Sequence, residues 1–200
     1  MAEKPTLDFW LEYASTYSYP AAERIGALAR AAGVVLRWRP FLLGPIFQSQ
    51  GWSTSPFNIY PQKGEYMWRD MKRICDSLGL PFRRPEPFPQ NSVLAARVAL
   101  IGFAKGWGED FSRAVYHAEF AEGQNIADTS VIAEILGRLS LDAAAVLERA
   151  QAPENKARLR SETEEAQRIG IFGAPSFVAA DGELFWGNDR LESALAWARR

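Results

Sequence analysis

Thr6-Leu7-Asp8-Phe9-Trp10-Leu11-Glu12-Tyr13, running into Ala14-Ser15-Thr16-Tyr17-Ser18-Tyr19-Pro20, is the stretch on which the fold turns. Leu7, Phe9, Leu11 and Tyr13 alternate with Asp8, Trp10 and Glu12, the period of two that marks a half-buried strand. Beyond it Ala21, Ile25, Leu28, Ala29 and Ala32 recur at helical spacing, and Gly33 stands where the chain must turn out of the helix. Val34, Leu36 and Trp38 alternate again until Pro40 closes the segment. Strand, helix and strand in so short a span predict a βαβ unit with a parallel pair and a right-handed crossover.

The far end of the chain supplies the other half of a sheet. Residues 176–180 are short and apolar, Asp181-Gly182 signals a two-residue hairpin, and 183–186 return. A last helix then buries Leu191, Ala194, Leu195 and Ala198, with Asn188 or Asp189 as N-cap and Glu192 three residues after Asp189. Between the halves, Met67, Met71, Ile74 and Leu78 form a stripe ending at Gly79, and 93–104, 111–121, 131–139 and 141–150 carry similar patterns. Residues 153–170 read as a more polar helix. A βαβ half, a helical block and a ββα half predict an α/β, thioredoxin-like fold with a large all-helical insertion. On this reading residues 1–62 and 165–200 form the thioredoxin-like domain, and 63–164 the inserted helical domain.

Composition narrows the function. Two hundred residues, 48% hydrophobic, bury a sufficient core without disulfide or metal staples. The 23 Lys and Arg against 24 Asp and Glu, with no run of like charge, argue against nucleic acid or an anionic membrane as partner. A single cysteine, Cys75, excludes an intramolecular disulfide, a Cys-x-x-Cys pair and a thiolate-rich metal site, and it suits a reducing compartment. The start of the chain lacks a basic stretch followed by an apolar one, so no signal peptide and a cytoplasmic location are expected. Residues 40–62 carry no charge, but six prolines and glycines interrupt them, so they are not a membrane helix.

Ser15-Thr16-Tyr17-Ser18 falls between the first strand and the first helix, where helix amides and dipole favour an anion. The same residues read equally as a plain helix start, with Ser18 the N-cap and Pro20 in the first turn. A serine hydroxyl here cannot exchange disulfides, but it can donate to a thiolate brought by a bound thiol and lower that thiol's pKa. Catalysis by a Ser-His-Asp set fails because the single histidine, His117, sits in the inserted block, off the Phe111, Val115, Ala118 stripe. Gly173-Ala174-Pro175-Ser176 enters the third strand. A cis Ala174-Pro175 bond is expected from the fold, with the Ala174 backbone open to an added extended peptide; the other reading is a trans proline that only ends the preceding helix. Asn188-Asp189 offers an amide and a carboxylate to a ligand's amino acid end, and Lys63, at a helix start that disfavours cations, suits a ligand carboxylate. Phe41, Phe47, Trp52, Phe57 and Tyr60 give the uncharged segment the character of a wall or lid over an aromatic-substrate pocket, or of an interface. Cys75 reads as a buried, inert thiol.

Together, Asp8-Phe9, Ser15-Thr16-Tyr17-Ser18-Tyr19, Pro61-Gln62-Lys63-Gly64-Glu65-Tyr66-Met67, Phe88-Pro89-Gln90-Asn91, Gly173-Ala174-Pro175-Ser176-Phe177 and Phe185-Trp186-Gly187-Asn188-Asp189-Arg190 resemble the 2-hydroxychromene-2-carboxylate isomerases. These are relatives of kappa-class glutathione transferases within the DsbA-like thioredoxin superfamily. The resemblance implies glutathione as cofactor, Ser15 as the serine facing its sulfur, Lys63 as a glutathione-site lysine, Ala174 as the residue whose backbone pairs with glutathione before cis-Pro175, and Asn188-Asp189 as the pair at the γ-glutamyl end. Tyr17, Phe47 and Tyr66 are the implied substrate-pocket residues. One departure stands out: an asparagine commonly follows the glycine of the aromatic loop, whereas Trp52 follows Gly51 here and takes that place among the implied glutathione-binding residues, with Asn58 the residue available to substitute.

The implied reaction is isomerisation of a bicyclic hydroxy-carboxylate to trans-o-hydroxybenzylidenepyruvate in aromatic catabolism, by a homodimer acting on a small aromatic carboxylate without metal. A thiolate adds to the conjugated double bond, the resulting single bond rotates, and elimination restores the alkene as the trans isomer. The rival expectations are a kappa-type glutathione transferase or glutathione-dependent thiol-disulfide oxidoreductase, and a non-catalytic interaction module.

Overall fold

A computed structural model describes residues 4–200, so the reading of the first three residues as lacking a leader lies outside it. Four strands, β1 (Thr6–Leu11), β2 (Val35–Pro40), β3 (Ser176–Ala179) and β4 (Leu184–Trp186), form one sheet in the order β2-β1-β3-β4. β1 runs parallel to β2, and β3 pairs antiparallel with both β1 and β4. The βαβ and ββα halves therefore share one sheet as the sequence predicts, with α1 (Ser18–Ala32) as the crossover and Gly33, left-handed at φ 69°, ending it. The hairpin between β3 and β4 is one residue longer than expected. Ala179 accepts from Gly182 and donates to Glu183, so 180–182 form a three-residue loop with Gly182 in the left-handed position.

β1 is not half-buried. Leu7, Phe9 and Leu11 enter the main core, while Trp10 on the opposite face packs with Phe41, Ile46, Ala166 and Ile171. That second face is covered by α2 (Leu43–Ser49), a helix the periodicity did not reveal inside the uncharged segment, and by α9 (Pro153–Arg168), the polar helix expected over 153–170. Buried with them, Asp8 pairs with Arg37 and Arg39, and Arg39 with Glu162 at 2.6 Å, so the polar residues of β1 and β2 are neutralised within the fold.

The single turn α3 (Pro56–Ile59) leads into α4 (Pro61–Leu78); then come α5 (Val93–Lys105), α6 (Gly108–Phe120), α7 (Thr129–Arg138), α8 (Ala143–Gln151), α9 and, after β4, α10 (Leu191–Ala198). Residue 165 falls inside α9, which packs on α5 and α8 as well as on β2. One apolar cluster joins Phe9, Tyr13 and Phe177 of the sheet half to Met67, Phe111, Val115 and Ile132 of the helical block. At full burial each such side chain contributes about 1.5–3 kcal/mol, so sheet and block stabilise one another. Among the described residues no helix is long and apolar enough to cross a membrane.

Candidate active site

Where β1 ends, the chain turns into α1 through two tight hydrogen bonds, Ser18 N–H to the Ser15 carbonyl (3.1 Å) and Tyr19 N–H to that of Thr16 (3.2 Å). The helix therefore begins at Ser18. That corrects the N-cap expectation: the cap position is Tyr17, Ser18 is the first helical residue, and its hydroxyl is buried rather than capping. Pro20 sits third in the helix, where its missing N–H has no intrahelical partner to lose. The N–H groups of Thr16 and Tyr17 have no partner among the described residues. They leave donors beside Ser15 at the positive end of a fifteen-residue helix.

Ser15 faces the entrance to β3. Ala174-Pro175 is cis, and the Ser15 hydroxyl donates to the Ala174 carbonyl at 2.9 Å. The Ala174 N–H is unpartnered among the described residues, so it offers a strand-type donor. Gly173 is required here because a Cβ would meet Trp186 Nε1 at 2.4 Å; the indole lies directly on the backbone. Trp186 and Phe172 pack at 5.1 Å and form an exposed aromatic rim.

These groups open into a cavity of about 1110 Å³ whose wall includes Ser15, Tyr17, Phe47, Trp52, Lys63, Tyr66, Ala174, Asn188 and Asp189. Pro175 and Asn58 are not part of that wall. Asn58 instead donates its amide to the Phe88 carbonyl (3.0 Å) and Thr54 Oγ1 (3.2 Å), which fastens α3 to the loop of 79–92. The expectation was that it stands in for the family asparagine; the structure instead sets it behind the wall, with its amide held by Thr54 and Phe88, which are themselves wall residues. Trp52 packs on Phe47 at 5.7 Å, and the uncharged segment supplies a wall, as expected. It does so largely as α2 and α3 rather than as a loop, because Pro56 and Ser55 start a helical turn there.

Asn188 and Asp189 form a 3-10 turn ahead of α10, whose N-cap position is Arg190, so the expected capping box is absent. Asn188 is buried and its Oδ1 accepts from Arg24 (3.1 Å), while Asp189 is exposed on the wall. Across the cavity Lys63, third residue of α4, stands over the Tyr60 ring at 5.0 Å. It is the one cation among the described wall residues, against the carboxyls of Glu12, Asp70 and Asp189. Tyr17 donates to Asp70 at 3.1 Å, and burial together with Asp70 pushes its phenol well above the ordinary range, so it stays a donor. His117 is exposed beside Glu122, and Cys75 is buried with its thiol pushed up to about 11 by desolvation; both lie outside the site, as the sequence indicated.

The residues 6–196 match the family model of the DsbA-like thioredoxin domain. The chain belongs to the DsbA-like thioredoxin family. Within it the chain is 29% identical over 188 residues to a 2-hydroxychromene-2-carboxylate isomerase of Sphingobium xenophagum, covering 94% of each. It is 27% identical over 200 residues to the human glutathione S-transferase kappa 1, covering 94% of this chain and 88% of that protein. A solved 2-hydroxychromene-2-carboxylate isomerase superposes with a TM-score of 0.86 at 25% identity, over 96% of this chain and 95% of the other. These relatives of the family member described here are enzymes.

Glu12 and Asp70, both on the cavity wall, carry no chemical signal in the sequence. Glu12 reads as the wet face of a strand and Asp70 as a solvated helix residue. The signal for Glu12 lay elsewhere, in Glu119, a carboxyl four residues after Val115 on a stripe that is otherwise core.

Proposed function

We propose that the protein is a glutathione-dependent isomerase of the 2-hydroxychromene-2-carboxylate type. The observation that carries this reading is the Ser15 hydroxyl at the head of α1, within hydrogen-bond reach of the Ala174 backbone, in a cavity walled by aromatic residues. The residues present fit glutathione. Ala174 offers an unpaired N–H to an extended peptide, Lys63 a cation to a carboxylate, and Asp189 an anion to an ammonium group. When bound, glutathione supplies the thiolate nucleophile for addition to a conjugated double bond and its later elimination.

The chain's own residues do the rest. Ser15 and the free amides of Thr16 and Tyr17 stabilise negative charge on sulfur, as oriented donors in a partly dry site do for an oxyanion. Phe47, Trp52 and Phe57 hold a planar aromatic acceptor against that point and exclude water from it. Tyr17, held by Asp70, presents a fixed phenol at the same wall.

The test is an absorbance assay of 2-hydroxychromene-2-carboxylate conversion to the trans open-chain product, with and without glutathione. Glutathione-dependent interconversion with no loss of free thiol supports the isomerase. A stable conjugate instead places the protein with the kappa transferases, which the 27% identity to that class keeps as the second reading.

A further inference from the structure

Beneath the cavity floor lies an acid pair that the reading above does not use. Glu12, just after β1, and Glu119, on α6, are 6% and 0% exposed, and neither makes an ion pair among the described residues. The Ser92 hydroxyl donates to Glu12 Oε1, while both carboxyl oxygens of Glu119 lack a partner. Two desolvated carboxyls close enough to feel one another's charge do not both ionise readily. Burial, then the nearness of Glu12, holds Glu119 protonated far above the ordinary range. Burial also raises Glu12 to about 7, against the lowering effect of Ser92 and the Ala14 amide.

The groups facing Glu12 are Glu119 and Tyr116 from α6, Ser92 at the head of α5, and its neighbour Tyr13. Burial keeps both phenols protonated, so none of these carries charge at neutral pH and Glu12 is the group there whose charge changes. It also differs from Glu119 in lining the cavity. Its backbone carbonyl accepts from Ser15 N–H at 3.1 Å and from the Tyr116 hydroxyl at 3.0 Å, so Glu12 and Ser15 are fixed relative to one another at one wall.

We propose that Glu12 is the internal acceptor of the proton that a bound thiol loses when it ionises at Ser15. The S–H bond breaks, its electron pair stays on sulfur, and the proton forms an O–H bond on the Glu12 carboxylate. The cavity's net charge is unchanged, and no proton passes to solvent. A buried site is spared an added charge, the costliest part of making a thiolate there. The inference rests on the glutathione reading, and the experiment separates the two.

Glutathione and S-methylglutathione, which has no thiol proton, are titrated at pH 7.5 into wild type and Glu12→Gln, in buffers of different ionisation enthalpy. The difference between the two ligands gives the protons released, and ultraviolet difference absorbance gives the thiolate formed. Wild type is expected to release well under one proton per thiolate, and Glu12→Gln close to one. Equal ratios near one overturn the role of Glu12, whereas no binding of either ligand to wild type overturns the glutathione reading itself. Infrared difference spectra of wild type alone, needing no variant, should show a protonated-carboxyl band gained with glutathione and not with S-methylglutathione. Its absence also overturns the proposal.

Discussion

The Ser15 hydroxyl donates to the Ala174 carbonyl at 2.9 Å, linking residues 159 positions apart in the chain. Both partners are groups that an extended thiol peptide would claim, the carbonyl by strand pairing and the hydroxyl by its sulfur. Binding in that mode exchanges one internal hydrogen bond for two to the ligand, so the Ser15 hydroxyl and the Ala174 carbonyl are satisfied before and after. The exchange couples recognition of the peptide backbone to stabilisation of the thiolate.

Lys63 is expected to act through binding alone. Lys63→Met should raise the KM for glutathione roughly two- to fivefold with little change in kcat, because an exposed charge pair contributes little. The effect should shrink as salt rises. Steady-state kinetics at two ionic strengths check this.

Asn58→Ala should leave glutathione affinity as it is and lower stability instead. Its amide ties α3 to the Phe88 carbonyl, and loss of such bonds costs about 1 kcal/mol. Thermal unfolding and calorimetric titration on the same sample separate this from a ligand-binding role.

Trp52 packs on Phe47 at the cavity wall. Trp52→Ala should raise the KM for the aromatic substrate roughly two- to tenfold, the range expected for an aromatic contact, while glutathione affinity holds. The comparison of two KM values is the readout.

The buried acids give stability a definite pH dependence. Glu12 titrates near 7 in the folded chain against an ordinary value of 4.5, and Glu119 is shifted in the same direction. Raised folded values mean that the native chain holds protons the unfolded chain releases, so this contribution is fully present below about 4.5. For Glu12 it is lost as pH rises to about 7, on the order of 3 kcal/mol. Unfolding followed between pH 5 and pH 8 should show the native state weakening, and Glu119→Gln should flatten the decline.

Much of this fold is legible in short-range pattern. The alternation of Leu7, Phe9 and Leu11, the helical spacing of Ala21, Ile25 and Ala29, and Asp181-Gly182 place three strands and the crossover, because each element buries a face of its own period. What lies between elements is not written locally. Trp10 and Asp8 read as the wet face of β1 until α2 and α9 are seen to cover it. α2 and α3 hide in an uncharged segment with no polar face to set a helical period. At the site, Ser15, Lys63, Ala174, Asn188 and Asp189 are legible as chemistry at element ends. Asn58 misleads because nothing local shows its amide turned to Phe88. The Glu12 and Glu119 relation joins a strand end to a helix more than a hundred residues away, and only packing brings them together.

The central claim, that Ser15 stabilises a bound thiolate, is tested most directly by ultraviolet difference titration of glutathione on wild type and Ser15→Ala. The account predicts binding by both, with the thiol pKa lowered in wild type and returned toward its ordinary value in the variant by about one to two units, as expected for a hydrogen bond to charge of about 1.5–3 kcal/mol. An equally lowered thiol pKa in Ser15→Ala would contradict it.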